Sequence, residues 1–192
     1  MTTINTKQVI MGVDPGTNLL GYSVIHSDKN TMNILINGVL DLKKTEDHFQ
    51  KLRLIYDRLH SIIEAYNPTV LAIESPFFGK NVQSMLKLGR AQGAAILVAA
   101  HFDMEIIEYS PRRIKQAITG KGNASKEQVA LMLKSIFALE SIPKYMDESD
   151  ALAAAACHHY SNRVIQTTKI TKHKKGNSWT EFIKSNPDKI QG

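Results

Sequence analysis

The run Val9-Ile10-Met11-Gly12-Val13-Asp14, broken by Pro15-Gly16, constrains the fold of this chain more than any other stretch. An unbroken apolar run of this length, ended by two turn formers, reads as a buried strand entering a tight turn. The carboxylate at its end then stands where open α/β sheets place their sites, at the carboxyl edge of a strand. Thr69-Val70-Leu71-Ala72-Ile73-Glu74-Ser75-Pro76 repeats the grammar: an apolar strand, an acid, then proline. A third locus, Asp147 and Asp150, puts two acids three residues apart at the head of an alanine-rich helix. Four carboxylates therefore fall at element ends, and no neighbouring charge accounts for them.

The intervening chain supplies the other elements. Residues 19–26 read as a second strand and residues 34–42 as a third, with the polar Ser27-Asp28-Lys29-Asn30 turn between them, so the chain opens as an antiparallel meander. From Thr45, a plausible N-cap, the period turns helical: Phe49, Leu52, Ile55, Tyr56, Leu59, Ile62, Ile63 and Tyr66 share one face, and Asn67-Pro68 stops the helix. A strand at 70–74 after that helix is parallel to the sheet. Residues 82–101 form a helix rich in small residues (Gly89, Ala91, Gly93, Ala94, Ala95), and its glycines predict close packing against another backbone. A short strand follows at 105–109, then a basic loop at 110–124. Ser125-Lys126-Glu127-Gln128 has the capping-box pattern and starts a helix that runs to about Leu139. Pro143 breaks it, and the last core helix spans Asp147 to about Ser161. This order, β-β-β-α-β-α-β-α-α, matches the ribonuclease H-like architecture: a five-stranded mixed sheet, antiparallel meander plus parallel strands, flanked by helices. In that architecture the first and fourth strands are neighbours, roughly 4.8 Å apart, so Asp14 and Glu74 face each other.

Composition matters here mainly through where the charge lies. The net charge is +6, but residues 163–192 hold seven Lys/Arg and two acids, leaving residues 1–162 at +1. The division expected is a nuclease domain over 1–162 and a basic, flexible tail over 163–192. The segment 80–126 is locally basic, with eight Lys/Arg against three acids, and it directly follows the second strand-end acid. A single cysteine, Cys157, excludes an internal disulfide and reads as a small buried filler. No apolar run exceeds seven residues and the N-terminus lacks the apolar core of a signal peptide, so no membrane association and a cytoplasmic location are expected.

Carboxylates this close repel unless a cation separates them. A hard divalent ion needs only oxygen ligands, and no His/Cys cluster with zinc spacing is present, so Mg²⁺ is the natural candidate. Two such ions about 4 Å apart would activate water and stabilise the leaving oxygen in phosphodiester hydrolysis. Asp147 alone would read as an N-cap; its pairing with Asp150 on one helical face, where the dipole favours ionised acids, points to the site instead. Adjacent phenylalanines are commonly core, yet Phe77 and Phe78 sit among Pro76, Gly79, Lys80 and Asn81, an exposed loop where rings can stack on bases. Arg112, Arg113, Lys115, Lys121 and Lys126 would be a solvated face elsewhere; beside a phosphodiester site they read as phosphate contacts. His158 and His159 read as surface or packing residues.

Four motifs together resemble the RuvC family of Holliday-junction resolvases: Met11-Gly12-Val13-Asp14-Pro15-Gly16-Thr17, Ala72-Ile73-Glu74-Ser75-Pro76-Phe77-Phe78, Leu88-Gly89-Arg90-Ala91-Gln92-Gly93 and Asp147-Glu148-Ser149-Asp150-Ala151-Leu152-Ala153. The likeness covers about residues 8–162. It implies a homodimeric, Mg²⁺-dependent endonuclease, two ions per site with Mn²⁺ able to substitute, that nicks opposed strands of four-way junction DNA and works with the RuvA–RuvB branch-migration complex. It further implies that Asp14, Glu74, Asp147 and Asp150 bind metal, that Phe77 stacks near the crossover, and that Lys115 and Lys126 hold scissile-strand phosphate. The family sometimes has His where this chain has Asp147. The tail after about Gln166 matches no family pattern; its Lys169–Lys175 run suits a DNA-gripping arm. Two other readings share the opening motif. A YqgF-type nuclease acting on RNA is the nearer; an actin-like ATPase would need a second phosphate loop that this chain lacks.

Overall fold

β1 (Gln8–Asp14) lies at the centre of a five-stranded sheet because its residues are apolar on both sides. A computed structural model of the chain describes residues 7–75 and 81–171, with side chains described through residue 162. β2 (Leu19–Asp28) and β3 (Thr31–Asp41) complete the meander, and β4 (Val70–Glu74) and β5 (Glu105–Tyr109) run parallel to β1, giving the order β3-β2-β1-β4-β5. The sheet and the β1–β4 adjacency are as the sequence predicts.

Alternation along β1 sorts the molecule into two layers. Met11 and Val13 join Leu71 and Ile73 against α1 (His48–Tyr66) and α2 (Val82–His101). Ile10 joins Ile25 and Ala72 on the other face, against α3 (Pro111–Thr119), α4 (Lys126–Ile136) and α5 (Met146–Thr171). Gly12 and Asp14 share parity with Ile10, so the carboxylate of Asp14 belongs to the α5 layer.

Three local expectations are corrected. α1 is capped by Asp47, whose carboxylate accepts from Phe49 N at 2.8 Å, while Thr45 N bonds Leu42 O in the preceding turn. The helix thus starts later than Thr45, and Phe49, 72% exposed, is off the core face. Residues 110–124 are not all loop: Ser110 caps α3, Pro111 fits its first turn, and Gly120 closes it at φ 77°. Nine residues are too few for a stable isolated helix, but buried Ile114 and Ile118 tie it to the core, at roughly 2 kcal/mol each. Finally, among the described residues Gly89 and Gly93 on α2 do not pack against another backbone of this chain; a Cβ on either would meet nothing within 4 Å.

By its internal packing the chain divides into two units, Met1–Ser161 and Asn162–Gly192. α5 continues ten residues beyond the end expected at Ser161, to Thr171. Among the described residues no helix is long and apolar enough to cross a membrane.

Candidate active site

Two strand ends and one helix start deliver the four acids. In the parallel register Val13 pairs with Ile73, so Asp14 and Glu74 follow as the next residues on adjacent strands. Asp147 lies in the first turn of α5 and Asp150 at the start of the second, and α5 crosses the same sheet face.

What seats α5 there is a pair of strand glycines. A Cβ on Gly12 would lie 2.1 Å from Ala151 O and 2.9 Å from Ala155 Cβ; one on Gly21 would lie 1.9 Å from Asp147 O. Only bare backbone lets the helix come this close, and Ala151, Ala153, Ala154, Ala155 and Ala156, all fully buried, keep it there. Two hydrogen bonds fix the far end: Ser27 Oγ with His159 Nδ1 at 2.7 Å and Tyr109 Oη with His158 Nδ1 at 2.9 Å. His158, His159 and Cys157 are therefore packing residues, and burial pushes the Cys157 thiol up to about 11, away from reactivity.

The electrostatics are those of a site short of positive charge. Burial, then the carboxylates of Asp150 and Glu74, push Asp14 up to about 8, with Asp147 adding to the effect and Lys126 opposing it. Burial and Asp150 likewise raise Glu74, against Lys126 and Lys115. Lys126 is the principal counter-charge: its Nζ donates to Asp150 Oδ2. Burial alone would lower that ammonium, but Asp150, Asp14 and Glu74 hold it above its ordinary value. Among the described residues no three His, Cys, Asp or Glu side chains stand close enough to chelate an ion as oriented. The backbone placement of the acids is the more telling observation: the β1–β4 register and the seating of α5 on Gly12 and Gly21 fix it, whereas carboxylate rotamers can turn. Two ammonium groups, Lys126 and Lys115, against four carboxylates leave room for hard cationic charge, and oxygen donors suit it; the residues fit a divalent ion.

The remaining sequence-predicted residues fall into groups. Lys115 (α3) and Lys126 (the first residue of α4) are drawn into the field of the acids. Lys121 is exposed on the loop between α3 and α4. Arg112 is exposed, its Cγ near where a Cβ on Gly122 would sit, at 2.7 Å. Arg113 is turned elsewhere, donating to Ser161 Oγ at 3.2 Å, eleven residues along α5 from Asp150 and so about 16 Å away by helical rise. Asn81 caps α2, its Oδ1 accepting from Ser84 N. Phe77, Phe78 and Lys80 lie outside the described residues. Sequence reasoning missed Gly12 and Gly21, although glycine inside an apolar strand is a standing sign of close backbone approach.

A sheet of this order, with acids on its two central strands and on the helix laid across them, defines a ribonuclease H-like nuclease. The family model described as crossover junction endodeoxyribonuclease RuvC matches residues 10–158. The crossover junction endodeoxyribonuclease RuvC of Cytophaga hutchinsonii is 50% identical over 184 residues, covering 96% of this chain and 88% of that protein. Its counterpart in Bacteroides fragilis is 48% identical over 187 residues, covering 96% and 97%. Among solved structures, Thermus thermophilus RuvC in complex with Holliday junction substrate superposes with a TM-score of 0.77 at 30% identity, over 82% of this chain and 96% of that one. The yeast mitochondrial Holliday junction resolvase, 14% identical with a TM-score of 0.67 over 89% of this chain and 86% of that one, shares the fold. The chain belongs to the RuvC family of crossover junction endodeoxyribonucleases, which are DNA-cleaving hydrolases.

Proposed function

We propose that this chain resolves four-way DNA junctions as a homodimer, cutting opposed strands by metal-assisted phosphodiester hydrolysis. The observation that carries this reading is the convergence of Asp14, Glu74, Asp147 and Asp150, from three separate elements, with Lys126 as the chief compensating charge. Asp14, Glu74, Asp147 and Asp150 would hold two Mg²⁺ ions, with Mn²⁺ able to substitute. Mg²⁺, when bound, supplies a water of lowered pKa and charge for the leaving oxygen. Lys126 steadies the acids in the metal-free protein, and Lys115 orients the scissile phosphate from the α3 side. Phe77, Phe78, Lys80, Asn81, Arg112 and Lys121 serve the DNA further out; Arg113, bonded to Ser161, is the least central of them.

Support for the dimer comes from α2. Val82, Leu86 and Leu97 are 65%, 52% and 63% exposed, and with Gly89 and Gly93 they form one stripe at helical spacing. Glycine on an open helical face costs stability for nothing in a monomer, whereas a second copy of the stripe across a two-fold axis uses it. A symmetric pair of sites suits a four-way substrate. The basic segment 163–192 would add sequence-independent grip, the RuvA–RuvB complex would supply the junction, and the cytoplasm is the matching location. One assay tests the reading: labelled four-way junction, linear duplex and structured RNA, each with and without Mg²⁺. Metal-dependent, paired nicking of the junction alone is expected; equal cutting of duplex or RNA refutes it.

A further inference from the structure

The carboxylates have a neighbour besides Lys115 and Lys126. Beside Asp147 opens a cavity of about 240 Å³ lined by Gly16, Thr17, Asn18, Leu19, Lys43 and Asp147 itself. Its wall is built, not incidental. Leu42 N donates to Asn18 O at 2.8 Å, and Lys51 Nζ donates to Thr17 O at 2.8 Å, pinning the turn that follows Asp14. Lys51 is thereby engaged, while Lys43, which lines the cavity, and Lys44, next to it in the chain, are exposed.

Beyond the rim the surface stays basic. α1 opens with His48 and Phe49, and α2 brings Lys87 and Arg90 alongside: burial first, then the Arg90, Lys87 and Lys51 cations, hold the His48 imidazolium below its ordinary value. Asp41, Glu46 and Asp47 are the acids nearby in the chain; Asp41 accepts from Lys43 N at 2.9 Å, and Asp47 is occupied as the α1 cap. Among these cations sits a phenylalanine ring 72% exposed, with no core to join. An aromatic ring among solvated cations, continuous with a cavity that ends on an active-site acid, suits a partner offering both phosphates and flat bases. A strand cut among the four acids extends beyond them on both sides, and this surface adjoins them at Asp147.

We propose that the face formed by Lys43, Lys44, Phe49, Lys87 and Arg90 is a second DNA-binding surface, which carries the scissile strand away on the Asp147 side with phosphates on the cations and an unpaired base on Phe49. The inference rests on the reading of the chain as a junction nuclease.

The test is metal-free binding of labelled four-way junction by the full chain in EDTA, by fluorescence anisotropy across a salt series. Lys43→Ala/Lys44→Ala and Lys87→Ala/Arg90→Ala should each flatten log Kd against log salt by up to about 1.8, roughly 0.9 for each phosphate left without its cation. Lys43→Arg/Lys44→Arg should keep the wild-type slope. Phe49→Ala should weaken binding about tenfold with the slope unchanged, and Phe49→Tyr should restore it. Because Lys87 and Arg90 flank the apolar stripe of α2, sedimentation of each variant accompanies binding; if the α2 pair alters the oligomer, the Lys43/Lys44 and Phe49 results decide. Wild-type slope and affinity in the Lys43/Lys44 and Phe49→Ala variants would overturn the proposal while leaving the nuclease reading intact. Failure of the wild-type chain to bind junction would overturn both.

Discussion

Replacing Gly21 by alanine should uncouple the acids from one another without altering any of their side chains. The new Cβ would stand 1.9 Å from Asp147 O, 2.5 Å from its carbonyl carbon and 3.2 Å from Ala151 Cβ. Real Cβ atoms essentially never approach another heavy atom within 3.0 Å, so the first turn of α5 must retreat by about 1.1 Å. The clash is with backbone, which has no rotamer to change, and fully buried Ala151 and Ala155 prevent the helix from sliding freely. Overpacking of this kind costs about 1–3 kcal/mol of stability. A displacement near 1 Å in the groups that position a reacting phosphate costs about 100-fold in rate. Gly38→Ala makes the matched control, because its Cβ would meet only the tip of the Tyr22 side chain, at 2.8 Å. Urea denaturation gives the stability change, and single-turnover cleavage of saturated junction gives the rate. If folded Gly21→Ala protein cleaves within about threefold of wild type, the seating of α5 on the strand glycines is not what aims Asp147 and Asp150.

Other expectations are as direct. Asp14→Asn should abolish cleavage while junction binding stays intact or tightens; near wild-type nicking would sink the carboxylate reading, and combined loss with Glu74→Gln or Asp150→Asn should be non-additive. Without metal, burial and the neighbouring carboxylates of Asp150 and Glu74 push the Asp14 carboxyl up to about 8, so the fold favours its protonated form. The associated stability is full below about pH 4 and is lost as pH rises towards 8; Asp14→Asn should therefore gain on wild type between about pH 5 and 9, and parallel urea midpoints for the two proteins would refute the assignment. Gly93→Leu should fold at least as well as wild type, since nothing lies within 4 Å and glycine costs about 1 kcal/mol in a helix, yet sedimentation should show a monomer and paired nicking should fail. Lys115→Ala should slow saturated cleavage with a modest binding loss, whereas truncation after Gln166 should lower affinity and its salt slope and spare saturated cleavage; the opposite pattern would place the tail in the catalytic architecture.

Asp14 and Glu74 were legible because each ends an element whose pattern is unmistakable. Val9–Val13 and Val70–Ile73 are too apolar to be anything but central strands, and Pro15 and Pro76 mark where they stop. α3 was hidden for the opposite reason. Its buried apolar signal is only Ile114 and Ile118, set among Arg112, Arg113, Lys115 and Gln116, so the basic run outweighed the helix marks that Ser110, Pro111 and Gly120 carry. The distinction matters to function, since Lys115 reaches the field of Glu74 only because a helical turn holds it on the flank beside Ile114 and Ile118.

Gly12 and Gly21 show why a site can be read in outline while its geometry escapes notice. A glycine leaves no side chain to count in any apolar period, and its importance lies in a carbonyl more than a hundred residues distant. Acids from β1, β4 and α5 can interact only if α5 lies almost on the strands, and an ordinary side chain at either position would lift it off. The repulsion this creates is visible in the raised Asp14 and Glu74 carboxyls. The fold relieves it internally only in part, through Lys126 and Lys115, and every alanine from Ala151 to Ala156 helps hold α5 against it. Packing along the length of one helix thus keeps four like charges together at its end, ready for cations and a phosphodiester that the chain itself does not provide.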